Sequence, residues 1–179
     1  MKNFTVRDIC FIGIFTAIIA VMAQISIPMP NGVPMTLQTF AIPFAGIILG
    51  PRKGTVSVLI YILLGMLGAP VFTRFAGGPG IILGPTGGFI LSFPFMAFAA
   101  GVGAKKISKV WLSAGLVTGA VINFLCGMCM YSFVTSSNLH TAFIACVLPF
   151  IPTAIIKIVL AGILGLNIKN ALKKGRILL

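Results

Sequence analysis

The sequence predicts an all-α integral membrane protein of six transmembrane helices, and three observations carry that expectation. The chain is 59% hydrophobic with 8% charged residues, too little polar surface to coat a water-soluble globule. Its 179 residues hold six apolar segments of a length suited to crossing a hydrocarbon core of about 30 Å. Threading those segments back and forth gathers eleven of the 13 Lys and Arg residues on one side.

The first segment, about 8–27, follows Lys2 and Arg7 and ends where Pro28-Met29-Pro30-Asn31-Gly32 breaks helical geometry. No small-residue cleavage site stands out in it, so it is expected to stay as a helix. The second segment runs over about 36–50 and the third over about 54–68, separated by Pro51-Arg52-Lys53-Gly54. At about 15 residues, roughly 22 Å, each is short enough to suggest a re-entrant hairpin instead. Such a hairpin would bury Arg52 and Lys53 at about 2.5–3.5 kcal/mol each, so two short spans are favoured. An irregular stretch over about 69–85 leads into the fourth segment, about 86–103. Lys105, Lys106 and Lys109 interrupt the chain before the fifth, about 110–133, which stops at Thr135-Ser136-Ser137-Asn138. The sixth covers about 148–166, and Lys169, Lys173, Lys174 and Arg176 follow it. A single membrane domain over 1–179 is expected.

Both termini and the loops holding Arg52 and Lys105 share the basic side, which the positive-inside rule assigns to the cytoplasm. Adding or dropping one segment would scatter that set. The formal charge of +12 thus reflects orientation, and no basic stripe interleaved with aromatics argues for nucleic acid. Cys10, Cys126, Cys129 and Cys146 lie in apolar surroundings, and Cys126-x-x-Cys129 has no second pair to complete four metal ligands. One acid, Asp8, and one histidine, His140, leave almost no general acid–base machinery, so no enzyme is expected.

Two cations stay outside the basic set. Arg74 falls in the loop after the third segment, open between loop solvation and site electrostatics. Lys157 falls about nine residues into the sixth, roughly 14 Å from its outer end. An ionisable residue at such depth is by default a functional candidate. Asp8 belongs to the opposite face, which leaves Lys157 solvated in an outward cavity, neutral, or paired with an anion from outside. Snorkelling to the interface is its purely structural use. Thr153, one turn outward on the same face, could hydrogen-bond a carboxylate beside it. Glycines in Phe75-Ala76-Gly77-Gly78-Pro79-Gly80 and Gly84-Pro85-Thr86-Gly87-Gly88 allow close backbone approach to a polar ligand. Gly13-x-x-x-Ala17 and Thr16-x-x-x-Ala20 make a small-residue face suited to packing within the chain or to a partner membrane subunit.

Several ordered motifs resemble the BioY family, the biotin-specific substrate-binding (S) components of energy-coupling factor (ECF) vitamin transporters. They are Gln24-Ile25-Ser26-Ile27-Pro28, Val33-Pro34-Met35-Thr36-Leu37-Gln38-Thr39, Leu49-Gly50-Pro51-Arg52-Lys53-Gly54, Gly68-Ala69-Pro70-Val71-Phe72, Leu83-Gly84-Pro85-Thr86-Gly87-Gly88-Phe89, and Pro149-Phe150-Ile151-Pro152 followed by Lys157. The resemblance covers nearly the whole chain. It implies a prokaryotic cytoplasmic (cell) membrane protein with both termini cytoplasmic and Gly/Pro-rich outer loops capping a ligand pocket. It implies high-affinity biotin binding and uptake, with Lys157 meeting the valerate carboxylate. Thr36, Gln38, Thr73, Thr86, Gly87, Gly88 and Phe89 would lie near the bicyclic ring, with Phe72, Arg74 and Thr153 also in the site. By the same resemblance the chain holds no cofactor. An ECF membrane coupling subunit would dock on Gly13, Ala17 and Ala20, two ATPase subunits would use ATP, and toppling within the bilayer would carry the site inward. The chain has no P-loop, so any ATP energy must come from such partners.

The chain departs from the family pattern at one place. Members usually carry Gly-Asp ahead of Leu-Leu-Lys, whereas here Ala154 stands within Thr153-Ala154-Ile155-Ile156-Lys157. Without that acid, Lys157 depends more on an external anion. The competing expectations are an S component for another small anionic vitamin, or a stand-alone secondary transporter that uses Lys157 as its titratable group.

Overall fold

A computed structural model describes residues 4–105 and 108–175, so Lys2, Lys106 and Arg176 of the basic set lie outside the described residues. Helix α1 (Val6–Gln24) starts where Thr5 and Asp8 cap each other. Thr5 Oγ1 accepts from the Asp8 amide at 3.3 Å, and the Asp8 carboxylate accepts from the Thr5 amide at 3.2 Å. The same carboxylate meets the Lys53 ammonium, so the chain's one acid is paired at the basic end. Beyond α1, β1 (Ser26–Ile27) and β2 (Met35–Thr36) pair antiparallel, with Ser26 opposite Thr36 and Ile27 opposite Met35. The expected helix start at Thr36 is thereby corrected: Thr36 belongs to the ladder, and helix begins two residues later at Gln38.

Helix α2 (Gln38–Met66) is two helices. Gly50, at φ 82° and ψ 171°, reverses the chain. A Cβ on Gly54 would lie 2.7 Å from the Gly46 Cα, whereas eight residues of unbroken helix would separate them by about 12 Å. The halves 38–49 and 51–66 therefore run side by side in opposite directions as two short spans. Arg52 is exposed at their turn and Lys53 reaches Asp8, which relieves both cations of the burial a re-entrant tip would impose. Glycine takes that positive φ without steric penalty, and Pro51 opens the second half where a missing N–H matters least.

The rest of the chain runs through a 3₁₀ turn (Thr73–Phe75), α3 (Pro79–Leu83), α4 (Gly87–Gly103), α5 (Lys109–Thr135), α6 (Leu139–Cys146), a second 3₁₀ turn (Leu148–Phe150) and α7 (Ile151–Lys174). Counting α2 as its two halves, six long helices stand among the described residues, as the sequence predicts. Helices α3 and α6 are short additions in stretches read as loop. Helix α7 starts three residues later than expected and extends to Lys174, so the basic tail continues the helix.

The α2 pair packs on α1, α4 and α7, and α4 packs on α5. Contact is close where side chains are small: a Cβ on Gly46 would fall 2.1 Å from the Ala97 carbonyl oxygen. Ile19, Ile42, Val58, Tyr61 and Phe93 form the interior, while Ile14, Val21, Val117, Val121, Leu125, Ile155, Val159 and Ile163 face outward. A belt of that size is a lipid-facing surface. Helices α1, α2, α5 and the run Leu139–Lys174 are long and apolar enough to span, and α4 is a shorter apolar helix.

The ends sort as the charge pattern requires. Lys53 on Asp8 brings the α2 turn beside the start of α1, and Lys169 Nζ donates to the Ala104 carbonyl at 2.9 Å, bringing the end of α7 beside the end of α4.

Candidate binding cavity

At the opposite end a cavity of about 380 Å³ lies between the connecting loops and the helices, within the usual size of small-molecule sites. Its wall along α4 includes Phe89, Ile90, Phe93 and Met96, so it reaches well into the bundle. The 28–34 loop forms another wall and is pinned across the molecule. Asn31 donates its side-chain amide to the Ala145 carbonyl, and the Tyr131 hydroxyl donates to the Asn31 carbonyl at 3.3 Å. Val33 inserts among Ala142, Cys146 and Val147. Helix α6, treated as loop in the sequence reading, is thus the anchor for the hairpin tip.

Lys157 lines the cavity. Because α7 begins at Ile151, the residue stands about 9 Å from the helix start rather than the 14 Å expected. Its Nζ donates to the Thr36 carbonyl at 2.7 Å. That partner was not among the three expected states, and 121 residues separate the pair. An ammonium has three donors, so two remain for a ligand.

Arg74 lines the same cavity. It and Phe75 hold left-handed backbone at φ 62° and 55°, which costs about 1–2 kcal/mol per residue without glycine. Gln24 at the end of α1 holds the turn in place. The Phe75 amide donates to Gln24 Oε1 at 2.8 Å, and Gln24 Nε2 donates to the carbonyls of Ala20, Val71 and Phe72 at 3.1, 3.3 and 3.0 Å. The two cations left over from the basic set therefore converge on one cavity, and no carboxylate lines it.

Thr36, Gln38, Phe72, Thr73, Thr86, Phe89 and Thr153 also line it. Gln38 joins three of its walls: Thr36 Oγ1 and Thr73 Oγ1 donate to its Oε1 at 2.9 and 3.5 Å, and its Nε2 donates to the Tyr61 hydroxyl at 2.6 Å. Tyr61 donates onward to the Val71 carbonyl at 3.2 Å and packs edge-on against Phe72. The Thr153 hydroxyl donates back to the Phe150 carbonyl at 3.0 Å, which leaves it an acceptor toward the cavity.

Two expected residues are placed differently. A Cβ on Gly87 would fall 1.7 Å from the Ile82 carbonyl oxygen, and one on Gly88 2.2 Å from that of Cys126. These glycines let α3 and α5 close on α4 and do not line the cavity.

Asn123 and Thr39 are polar lining residues that the sequence did not single out, and Asn123 is the more deeply placed. It is 2% exposed, lines the cavity, and donates to the Phe89 carbonyl and Ser92 Oγ at 2.9 and 2.8 Å. Both amide hydrogens are committed there, leaving its side-chain carbonyl as the group for a ligand donor. An uncharged amide inside an apolar span is a signal that could have marked it. Ala154, at the place of the usual family acid, lines the cavity as well. On α1, Gly13 and Ala17 are exposed, with no heavy atom within 4 Å of a Cβ built on Gly13, while Ala20 is half-buried against the core.

A lipid-embedded helical bundle enclosing a deep, cationic, aromatic-walled cavity defines a membrane protein with a site suited to a small anionic molecule. The chain belongs to the BioY family, whose family model matches residues 1–174. It is 42% identical over 159 residues to the probable biotin transporter BioY of Pyrococcus horikoshii, spanning 89% of this chain and 94% of that one. It is 39% identical over 165 residues to the biotin transporter BioY of Thermotoga maritima, spanning 92% and 96%. Among solved structures it is similar to the S-component for biotin from an ECF-type ABC transporter, with a TM-score of 0.84 and 31% identity over 94% of this chain and 95% of that one.

Proposed function

We propose that this chain binds biotin in the cavity beside Lys157 and serves as the S component of an ATP-driven ECF transporter. The observation that carries the reading is the meeting of Arg74 and Lys157 in a cavity without a carboxylate, at the end away from every other described cation. A ligand with one carboxylate and an uncharged polar ring matches it. The carboxylate takes the free ammonium hydrogens, while hydroxyls and amide groups of Thr36, Gln38, Thr73, Thr86 and Asn123 face the ring and Phe72 and Phe89 pack on it. The biotin-transporter names of the relatives support that ligand over another anionic vitamin.

The protein works in the cytoplasmic membrane of a prokaryote with its basic end inside. An ECF membrane coupling subunit docks along the exposed Gly13–Ala17 face of α1, with Ala20 at its edge, and two ATPase subunits supply ATP energy. Movement of the whole chain in the bilayer then delivers the site inward.

Titration calorimetry of the detergent-purified chain with biotin tests the reading. One-to-one binding is expected, and the absence of both heat and competition rejects it. Uptake by cells carrying this chain without any ATPase module would favour a stand-alone transporter instead.

A further inference from the structure

We infer that the basic end carries a second site, which holds a phosphate group, with the headgroup of an anionic phospholipid of the cytoplasmic leaflet as its source. A recess of about 280 Å³ there is lined by Lys53, Lys105, Lys169 and Lys173 together with Gly50 and Ala104. Three separate parts of the chain, the α2 turn, the end of α4 and the end of α7, bring those ammonium groups together against their mutual repulsion. Asp8 answers Lys53, whereas Lys105 and Lys173 have no carboxylate partner among the described residues.

A solvated basic face would be convex, but this one is hollow. A Cβ on Gly50 would meet nothing within 4 Å, so the sharp α2 turn opens on free space. Lys169 is half-buried and donates to the Ala104 carbonyl, which covers the negative end of α4 and leaves two of its own donors for an anion. Lysine is a point-charge binder of phosphate, and basic pockets between helices at the cytoplasmic side suit phospholipid headgroups. The lipid source is favoured over free phosphate by the surroundings. Val102 and Ile168, beside Lys105 and Lys169 in the chain, are exposed apolar residues where acyl chains can lie.

Native mass spectrometry of the detergent-purified chain titrated with phosphatidylglycerol or phosphatidylcholine tests the site. The chain should retain phosphatidylglycerol in preference to phosphatidylcholine. The pair Lys169→Gln and Lys173→Gln should weaken that retention about thirty-fold. The pair Arg52→Gln and Lys109→Gln, cations of the same end outside the recess, should leave it unchanged. Gel filtration and an unaltered unfolding midpoint in lipid-free detergent establish that each variant is folded, and Lys169→Arg with Lys173→Arg should restore binding. Millimolar inorganic phosphate distinguishes the sources. Displacement of the lipid by phosphate, lost in the Gln pair, supports the recess with the free anion as occupant, and no displacement supports it with the lipid. Equal loss in both Gln pairs, or no loss in the Lys169 and Lys173 pair, overturns the site.

Discussion

Replacing Lys157 by Met keeps the apolar stem and removes the ammonium, and the structure gives the size of the loss. Nζ makes one bond, to the Thr36 carbonyl at 2.7 Å, and has two donors left for a ligand. A carboxylate there gains a charge-assisted hydrogen bond worth about 1.5–3 kcal/mol, against about 1 kcal/mol for a neutral ester oxygen. Loss of the Thr36 bond affects both ligands alike and cancels in their comparison. The coupling between Lys157 and the acid is therefore about 1.3 kcal/mol, so biotin should weaken roughly eight-fold more than its methyl ester. Calorimetry of both proteins with both ligands reads that ratio. Equal losses for acid and ester would refute the placement of the carboxylate at Lys157.

Gln24→Leu removes three hydrogen bonds that hold the left-handed turn at Arg74 and Phe75 against α1; a loss of about 2 kcal/mol in stability and weaker biotin binding should follow, and an unchanged unfolding midpoint would disprove the latch. Gly46→Leu drives side chain into the Ala97 carbonyl, 2.1 Å from its Cβ, and should lower the unfolding midpoint sharply, by the equivalent of about 3 kcal/mol or more. Gly13→Leu, where a Cβ meets nothing within 4 Å, should leave the midpoint alone; a large drop would show that face to be packed. Ala17→Trp should preserve biotin binding and impair uptake that depends on the partner subunits, and full uptake would remove that face from docking.

The span count and the sidedness were legible because both rest on properties local in sequence: apolar run length and the periodic return of Lys and Arg to one side. Lys157 and Arg74 stood out by the same rule, as the cations it could not absorb. The short β1–β2 ladder was not legible, since two residues per strand carry no usable alternation and Pro28 and Pro30 read only as breaks. Gly87 and Gly88 were misplaced because a glycine that admits a ligand and one that admits a helix are identical in sequence. What separates them is whether Cys126 and Ile82 occupy the space above.

By itself the sequence determined that this chain lives in lipid, which way its charges sort, and which lysine lacks an acid, because composition and order along the chain set those properties. Tertiary structure alone decided that Arg74 and Lys157 share a cavity, that Asn123 lines it, and that Lys157 leans on Thr36 across 121 residues. Those facts depend on where distant backbones come to rest. That is settled by packing of the α2 pair against its neighbours, which no single segment encodes.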